Sequence, residues 1–205
     1  MESSGGSTFT RRDDGAILAS MPAPQPDAYT FRLKSPAGGI RALRLDALLD
    51  PSLAQPHIGP GRDFNNGLFD VTGLDVAATA ADGAETPVEV VAAYSHPWRR
   101  PGVGPIDAVR RTPIPMSYPH WGGDQGTPNV AVLHFRDDDV GPEEIVVKAE
   151  FNGGKSIGCL RFYGSADPAA RLPESVVTLV RESAPADAPP RPIVVGKPID
   201  QAGAP

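Results

Sequence analysis

The chain has 205 residues, 40% of them hydrophobic and 21% charged, which suits one domain with a buried core and not a disordered chain. Its net charge of −6, with no basic stripe, argues against nucleic-acid binding, and no run approaches the ~20 apolar residues of a membrane span. The 22 glycines and 24 prolines predict many short elements with frequent breaks, which favours an all-β fold over a helical one.

In chain order, residues 1–8 read as a flexible Ser/Gly leader. Asp13–Gly15 is a turn and Gly15–Ser20 a short strand, followed by a Pro-rich crossing from Met21 to Asp27. Tyr29, Phe31 and Leu33 alternate with Thr30 and Arg32, the pattern of a half-buried strand. Leu43, Leu45 and Ala47 alternate with Arg44 and Asp46 in the same way. After a long Pro/Gly loop, Phe69 and Val71 hold one parity and Leu74 and Val76 the other. An extra residue in an antiparallel strand produces such a flip, so a β-bulge is predicted at Thr72–Gly73.

Asp82–Gly83 is a turn, and Val88–Ala93 reads as a strand with Pro87 at its start, where a missing N–H costs least. His96–Gly126 reads as one long irregular stretch carrying both tryptophans. Loops longer than about 15 residues are uncommon and often functional. Val130–Phe135, Glu144–Phe151 and Ile157–Tyr163 are three further strands, joined by turns at Asp137–Asp139 and Asn152–Gly154. Ile145, Val147, Ala149 and Phe151 share one face of theirs. From Ala166 onward Pro and Ala dominate, with a short ordered piece at Ser175–Val180. The chain therefore divides into a leader (1–8), an antiparallel β-sandwich of jelly-roll type (9–165) and a Pro/Ala-rich tail or linker (166–205).

The stretch Ile40–Val76 resembles a segment of large secreted proteins of planctomycete-type bacteria. The resemblance lies in Leu43–Leu48, Asp50–Leu53, Gly59–Arg62, Asn66–Gly67 and Phe69–Val76. It continues at Trp121, Gly126, Ala131 and Val132, and again at Gly153, Gly154, Ile157, Gly158 and Arg161. It spans roughly residues 12–165. In that family the segment is an accessory module beside a planctomycete-type cytochrome c domain. The resemblance implies a galactose-binding-like jelly roll, a fold often used for carbohydrate, and an extracytoplasmic setting. This chain departs from the family in three respects, one being that Leu68 stands where the family's NGNF has its second Asn. No C-x-x-C-H haem motif is present, and a single cysteine, Cys159, cannot form one, so no haem is expected. An additional residue also precedes Asn66–Gly67, which alters the length of that loop. The opening residues carry no apolar core of a secretory signal, so a cytoplasmic chain and a piece of a longer one both fit.

Ligand chemistry is most concentrated in the aromatic loops. Trp98, Tyr118, His120 and Trp121 offer stacking surfaces for sugar rings, and Asp124, Gln125 and Asn129 offer bonds to hydroxyls. The competing role for Trp98 and Trp121 is to anchor the long loop by burying their rings. Arg62 and Asn66 are expected to pin the Gly59–Gly67 loop, with Gly67 at positive φ; a ligand contact by Arg62 is the alternative.

A structural Ca²⁺ has two candidate acid sets, one of Asp46, Asp50, Asp63, Asp70 and Asp75 and one of Asp137–Asp139. The four scattered histidines, His57, His96, His120 and His134, have no zinc spacing. Cys159 reads as a small buried filler. No nucleophile–base signature or phosphate loop is present, so no catalysis is expected. The reading is a non-catalytic module that binds carbohydrate or another cell-surface polymer. The alternative is a docking domain for a partner protein or neighbouring domain.

Overall fold

The structure is a computed structural model. It describes residues 1–20, 23, 25–35, 39–53, 59–63, 65–96, 105–111, 121–123, 126–136 and 144–166. These hold β1 (Glu2–Ser3), β2 (Phe9–Arg11), β3 (Ile17–Ala19), β4 (Ala28–Lys34), β5 (Ala42–Ala47), β6 (Asp70–Thr79), β7 (Glu85–Pro87), β8 (Val90–His96), α1 (Pro105–Arg110), β9 (Trp121–Gly122), β10 (Asn129–Phe135), β11 (Glu144–Phe151) and β12 (Cys159–Ser165).

The strands form two sheets. The first runs β1-β4-β11-β6-β7, with β9 also on β6; the second runs β2-β3-β12-β5-β10-β8. Every strand pairing among the described residues is antiparallel. The two sheets pack face to face as an all-β sandwich. Alternation decides which side chains lie between them. Tyr29, Phe31 and Leu33 of β4, Leu43, Leu45 and Ala47 of β5, and Ile145, Val147, Ala149 and Phe151 of β11 all join one core. The largest rings interlock there: Tyr29 meets Phe151 edge-on at 4.7 Å, and Phe31 meets Phe162 at 4.9 Å. Fully burying a side chain of this size stabilises by about 1.5–3 kcal/mol.

The predicted bulge is present. Glu150 pairs with Gly73 and Phe151 with Val71, which leaves Thr72 as the extra residue. Phe69, Val71, Leu74 and Val76 therefore all face inward despite their change of parity.

Two sequence readings are corrected. Residues 1–8 are not a loose leader. Glu2 and Ser3 pair with Thr30 and Tyr29, and Ser3 Oγ, Gly5 N and Ser7 Oγ all donate to the buried Asp27 carboxylate at 2.6, 2.9 and 2.7 Å. Small polar residues read as flexible by composition are here the donors that satisfy a buried acid.

The stretch from His96 to Gly126 also contains regular structure. Helix α1 begins at Pro105, where a missing N–H is harmless, and buries Ala108 in the core. It ends at Arg111, whose φ of 51° lies in the left-handed region. One helical turn is too short for a periodic signal, and a two-residue strand such as β9 is equally hard to see. No helix among the described residues is long and apolar enough to cross a membrane.

Candidate functional site

Trp98, Tyr118, His120, Asp124 and Gln125 lie outside the described residues, as do His57 and Asp137–Asp139. Trp121 is described, and its ring is 2% exposed. It packs edge-on against Phe69 at 5.1 Å and donates its Nε1–H to Asn129 Oδ1 at 2.7 Å. Asn129, itself buried, turns its amide to the Gly122 carbonyl at 3.1 Å. These two residues clamp β9 onto β10, which is the anchoring role expected of a buried Trp121.

Arg62 also turns inward. Its side chain is fully buried. Nη1 donates to Ser7 Oγ at 2.8 Å, to Tyr29 Oη at 2.6 Å and, more weakly, to Ser156 Oγ at 3.3 Å. Nη2 donates to the Ser20 carbonyl, and Asp27 lies 3.9 Å away as counter-charge. Burial pushes the Tyr29 hydroxyl pKa up, against the pull of the Arg62 charge. A guanidinium held in this way joins the Gly59–Gly67 loop, the opening residues and β4 at one point. These bonds give Arg62 a pinning role, with its side chain fully buried. The glycines around it have a reason in the packing: a Cβ on Gly61 would run into the Leu68 carbonyl. Gly67 takes φ 65° as expected, and Asn66 Oδ1 accepts from Leu68 N at 3.0 Å.

The five described acids considered for Ca²⁺ each have other partners. Asp46 binds Arg44, Asp50 binds Arg12 and Ser52, Asp63 accepts from Asn65 N, Asp70 accepts from Asn152, and Asp75 binds Arg111. Among the described residues no three His, Cys, Asp or Glu side chains gather as a metal set. Cys159 sits with Ala16 and Leu53. Burial pushes its thiol up to about 11, which leaves it neutral and poorly nucleophilic near pH 7.

A different site emerges from the strand register of the second sheet. Tyr94, Val132, Arg44 and Tyr163 stand directly opposite one another across β8, β10, β5 and β12. Their neighbours Ala93, Ala131, Leu133, Leu43, Leu45 and Phe162 enter the core, so this row points away from it. The row spans three strand spacings, roughly 14 Å at about 4.8 Å each. A half-buried tyrosine stands at each end.

The next row places Val130, Asp46 and Arg161 in register. Arg44 grips Asp46 with both nitrogens, Nε at 2.6 Å and Nη2 at 2.9 Å. Arg161 Nη2 lies 3.9 Å from the same carboxylate. Both guanidinium groups lie over the Tyr163 ring, at 5.0 and 5.3 Å, within the range of cation–π attraction. At the other end Tyr94 meets His134 edge-on at 5.6 Å. Asp46 is 3% exposed and Val132 is fully buried although both lie on outward positions, so neighbouring groups shield this part of the face, which is not a flat solvated surface.

Sequence reasoning identified Arg44 and Asp46 as outward residues but did not bring Tyr94, Tyr163 and Arg161 to them. The missing information was strand order, since these residues are distant in the chain and meet only through register. Fold and face together define an all-β sandwich with an aromatic, guanidinium-bearing sheet surface. No family model matches the sequence, and no curated protein and no solved structure matches it.

Proposed function

We propose that the chain is a non-catalytic accessory β-sandwich module that binds a carbohydrate chain across the outward face of its second sheet. The observation that carries this reading is the row Tyr94–Val132–Arg44–Tyr163. Sugar rings have apolar faces that stack on tyrosine, and Arg44, Arg161 and Asp46 offer donors and acceptors to hydroxyls between the two rings. Trp121 is consumed in the scaffold, and the described residues place sheet aromatics on an outward face instead.

The topology supports a jelly-roll, galactose-binding-like reading. With β1, β2, β7 and β9 left aside and the equally short β3 kept, eight strands remain and run 1-8-3-6-5 in one sheet and 2-7-4 in the other. The first strand lies beside the eighth, the second beside the seventh and the third beside the sixth, as when one long hairpin is rolled up. The resemblance to the accessory module of planctomycete-type cytochrome c proteins is part of the same proposal. Its positions Gly61, Arg62 and Trp121 have scaffold roles here, which fits a shared framework carrying a variable surface. A second reading is a docking domain for a partner protein or neighbouring domain, which burial of both tryptophans would favour; Trp121 is buried and Trp98 lies outside the described residues.

The test is an insoluble-polysaccharide pull-down and glycan array, with and without Ca²⁺, using the wild type, Tyr94→Ala and Tyr163→Ala. Saturable binding that falls at least about tenfold in either variant, with an unchanged urea midpoint, supports the carbohydrate reading. Binding that survives both substitutions moves the site elsewhere. An absence of binding across the panel transfers the proposal to docking.

A further inference from the structure

The arrangement of charge on this face narrows the ligand class. Two guanidinium groups share one carboxylate there, and they share it unequally. Arg44 occupies both oxygens of Asp46 at 2.6 and 2.9 Å. Arg161 has only looser contacts, 3.9 Å to Asp46 and 3.4 Å to Asp14, and the Asp14 side chain is 59% exposed. Its Nε lies buried without a hydrogen-bond partner among the described residues. On the opposite face of the sandwich, Arg32 and Arg111 each hold two carboxylates at 2.6–3.3 Å. Arg161 is therefore a cation with excess capacity, placed by Tyr163 beside a stacking surface.

We infer that the second-sheet face takes acidic polysaccharide, a chain bearing carboxylate groups, and that Arg161 receives the acid group by exchanging the exposed Asp14 for it. This rests on the carbohydrate reading above. Asp14 keeps the Ala16 N–H on its other oxygen at 3.0 Å, and Arg161 gives up its 3.4 Å contact for a closer charge-assisted one at about 2.7–2.9 Å. Arg44 stays on Asp46 and keeps that fork in place. A guanidinium suits this role because its planar N–H pairs match a carboxylate while its face remains on the aromatic ring. Arg44 and Arg161 are balanced here by Asp46 and Asp14 and the chain as a whole carries −6, so long-range attraction does not bring an acidic polymer to the surface, and selectivity depends on direct contacts.

The experiment compares polygalacturonate with the same polymer fully methyl-esterified, by affinity electrophoresis of the whole chain. The wild type is expected to bind the acid form roughly tenfold more tightly than the ester. Arg161→Gln should bring binding of the acid form down to that of the ester. Asp14→Asn should raise affinity for the acid form severalfold, because it removes the competing carboxylate. Urea midpoints establish that both variants are folded. Equal binding of acid and ester by the wild type, or a preference that survives Arg161→Gln, overturns the inference and leaves the carbohydrate reading standing. Binding of neither polymer, together with a blank wider panel, overturns both.

Discussion

The two outward faces of the sandwich obey the same alternation rule and carry different chemistry. On the first sheet the outward positions hold ion pairs in the open. Arg32 bonds Glu85 and Glu144, Arg111 bonds Asp75 and Glu150, and these side chains are 31–50% exposed. Pairs of this kind contribute about 0–1 kcal/mol each and keep a sheet face in solution. On the second sheet the outward positions hold tyrosines, two guanidinium groups and a carboxylate only 3% exposed. An acid and a valine, Val132, buried on outward positions mark a surface that neighbouring groups shield. The hydrophobic pattern of a strand reveals which residues face out; it does not reveal whether the outward set is a solvated skin or a shielded surface.

The largest effect is expected beneath both faces. Arg62→Leu leaves Asp27, Tyr29, Ser7 and Ser156 buried around a missing cation. Removing one partner from such a cluster costs about 3–5 kcal/mol. Urea denaturation should register that loss whether or not ligand binds. A change below about 1 kcal/mol would mean that the opening residues and the Gly59–Gly67 loop are held by something other than Arg62.

The comparison of faces is tested directly by a matched pair. Asp46→Asn removes the charge from a shielded acid bonded twice by Arg44, a loss of about 2–3 kcal/mol. Asp75→Asn removes the charge from an acid that is 50% exposed, and should cost no more than about 0.5 kcal/mol. Equal losses would erase the distinction between shielded surface and solvated skin. Trp121→Phe comes next. The ring still fills its place against Phe69, but Asn129 Oδ1 loses its donor, which costs about 1–2 kcal/mol. Polysaccharide binding should be unchanged in this variant; a loss would return the loop aromatics to the site.

Much of the framework was legible in the sequence, and for a physical reason. Period-two runs such as Tyr29–Phe31–Leu33 state their own conformation, and the change of parity at Gly73 announced the bulge before any partner strand was known. Local turn chemistry likewise predicted the positive φ of Gly67. The rest was hidden where the cause is non-local. Ser3 and Ser7 read as a loose leader because their acceptor, Asp27, is two dozen residues away. Arg62 had the correct role, but its partners Tyr29 and Ser156 meet it only in the folded chain. The second-sheet face needed four strands in register, and no window of sequence contains that.

The smallest predicted effect is acid sensitivity, which again separates shielded from exposed groups. Burial alone would raise the Asp50 pKa, but bonds from the Ser52 hydroxyl and amide and the charge of Arg12 outweigh it and hold the carboxyl below its ordinary value. The Arg111 bond holds Glu150 below its ordinary value against a smaller burial cost, with help from Lys148. In both cases the folded state binds its proton less readily than the unfolded state. The stabilisation is therefore present above about pH 4, the ordinary carboxylate range, and is lost as pH falls through the lower folded-state values. Thermal melts at pH 7, 4 and 3 should show this decline, and Asp50→Asn and Glu150→Gln should each flatten it. Salt then tells the two apart. Glu150 is 34% exposed and Asp50 only 3%, so 1 M NaCl, with a Debye length of about 3 Å, should screen the Glu150 contribution and leave most of that of Asp50. If salt removed both alike, Asp50 would belong with the solvated pairs, and shielding at the sandwich surface would not be what distinguishes them.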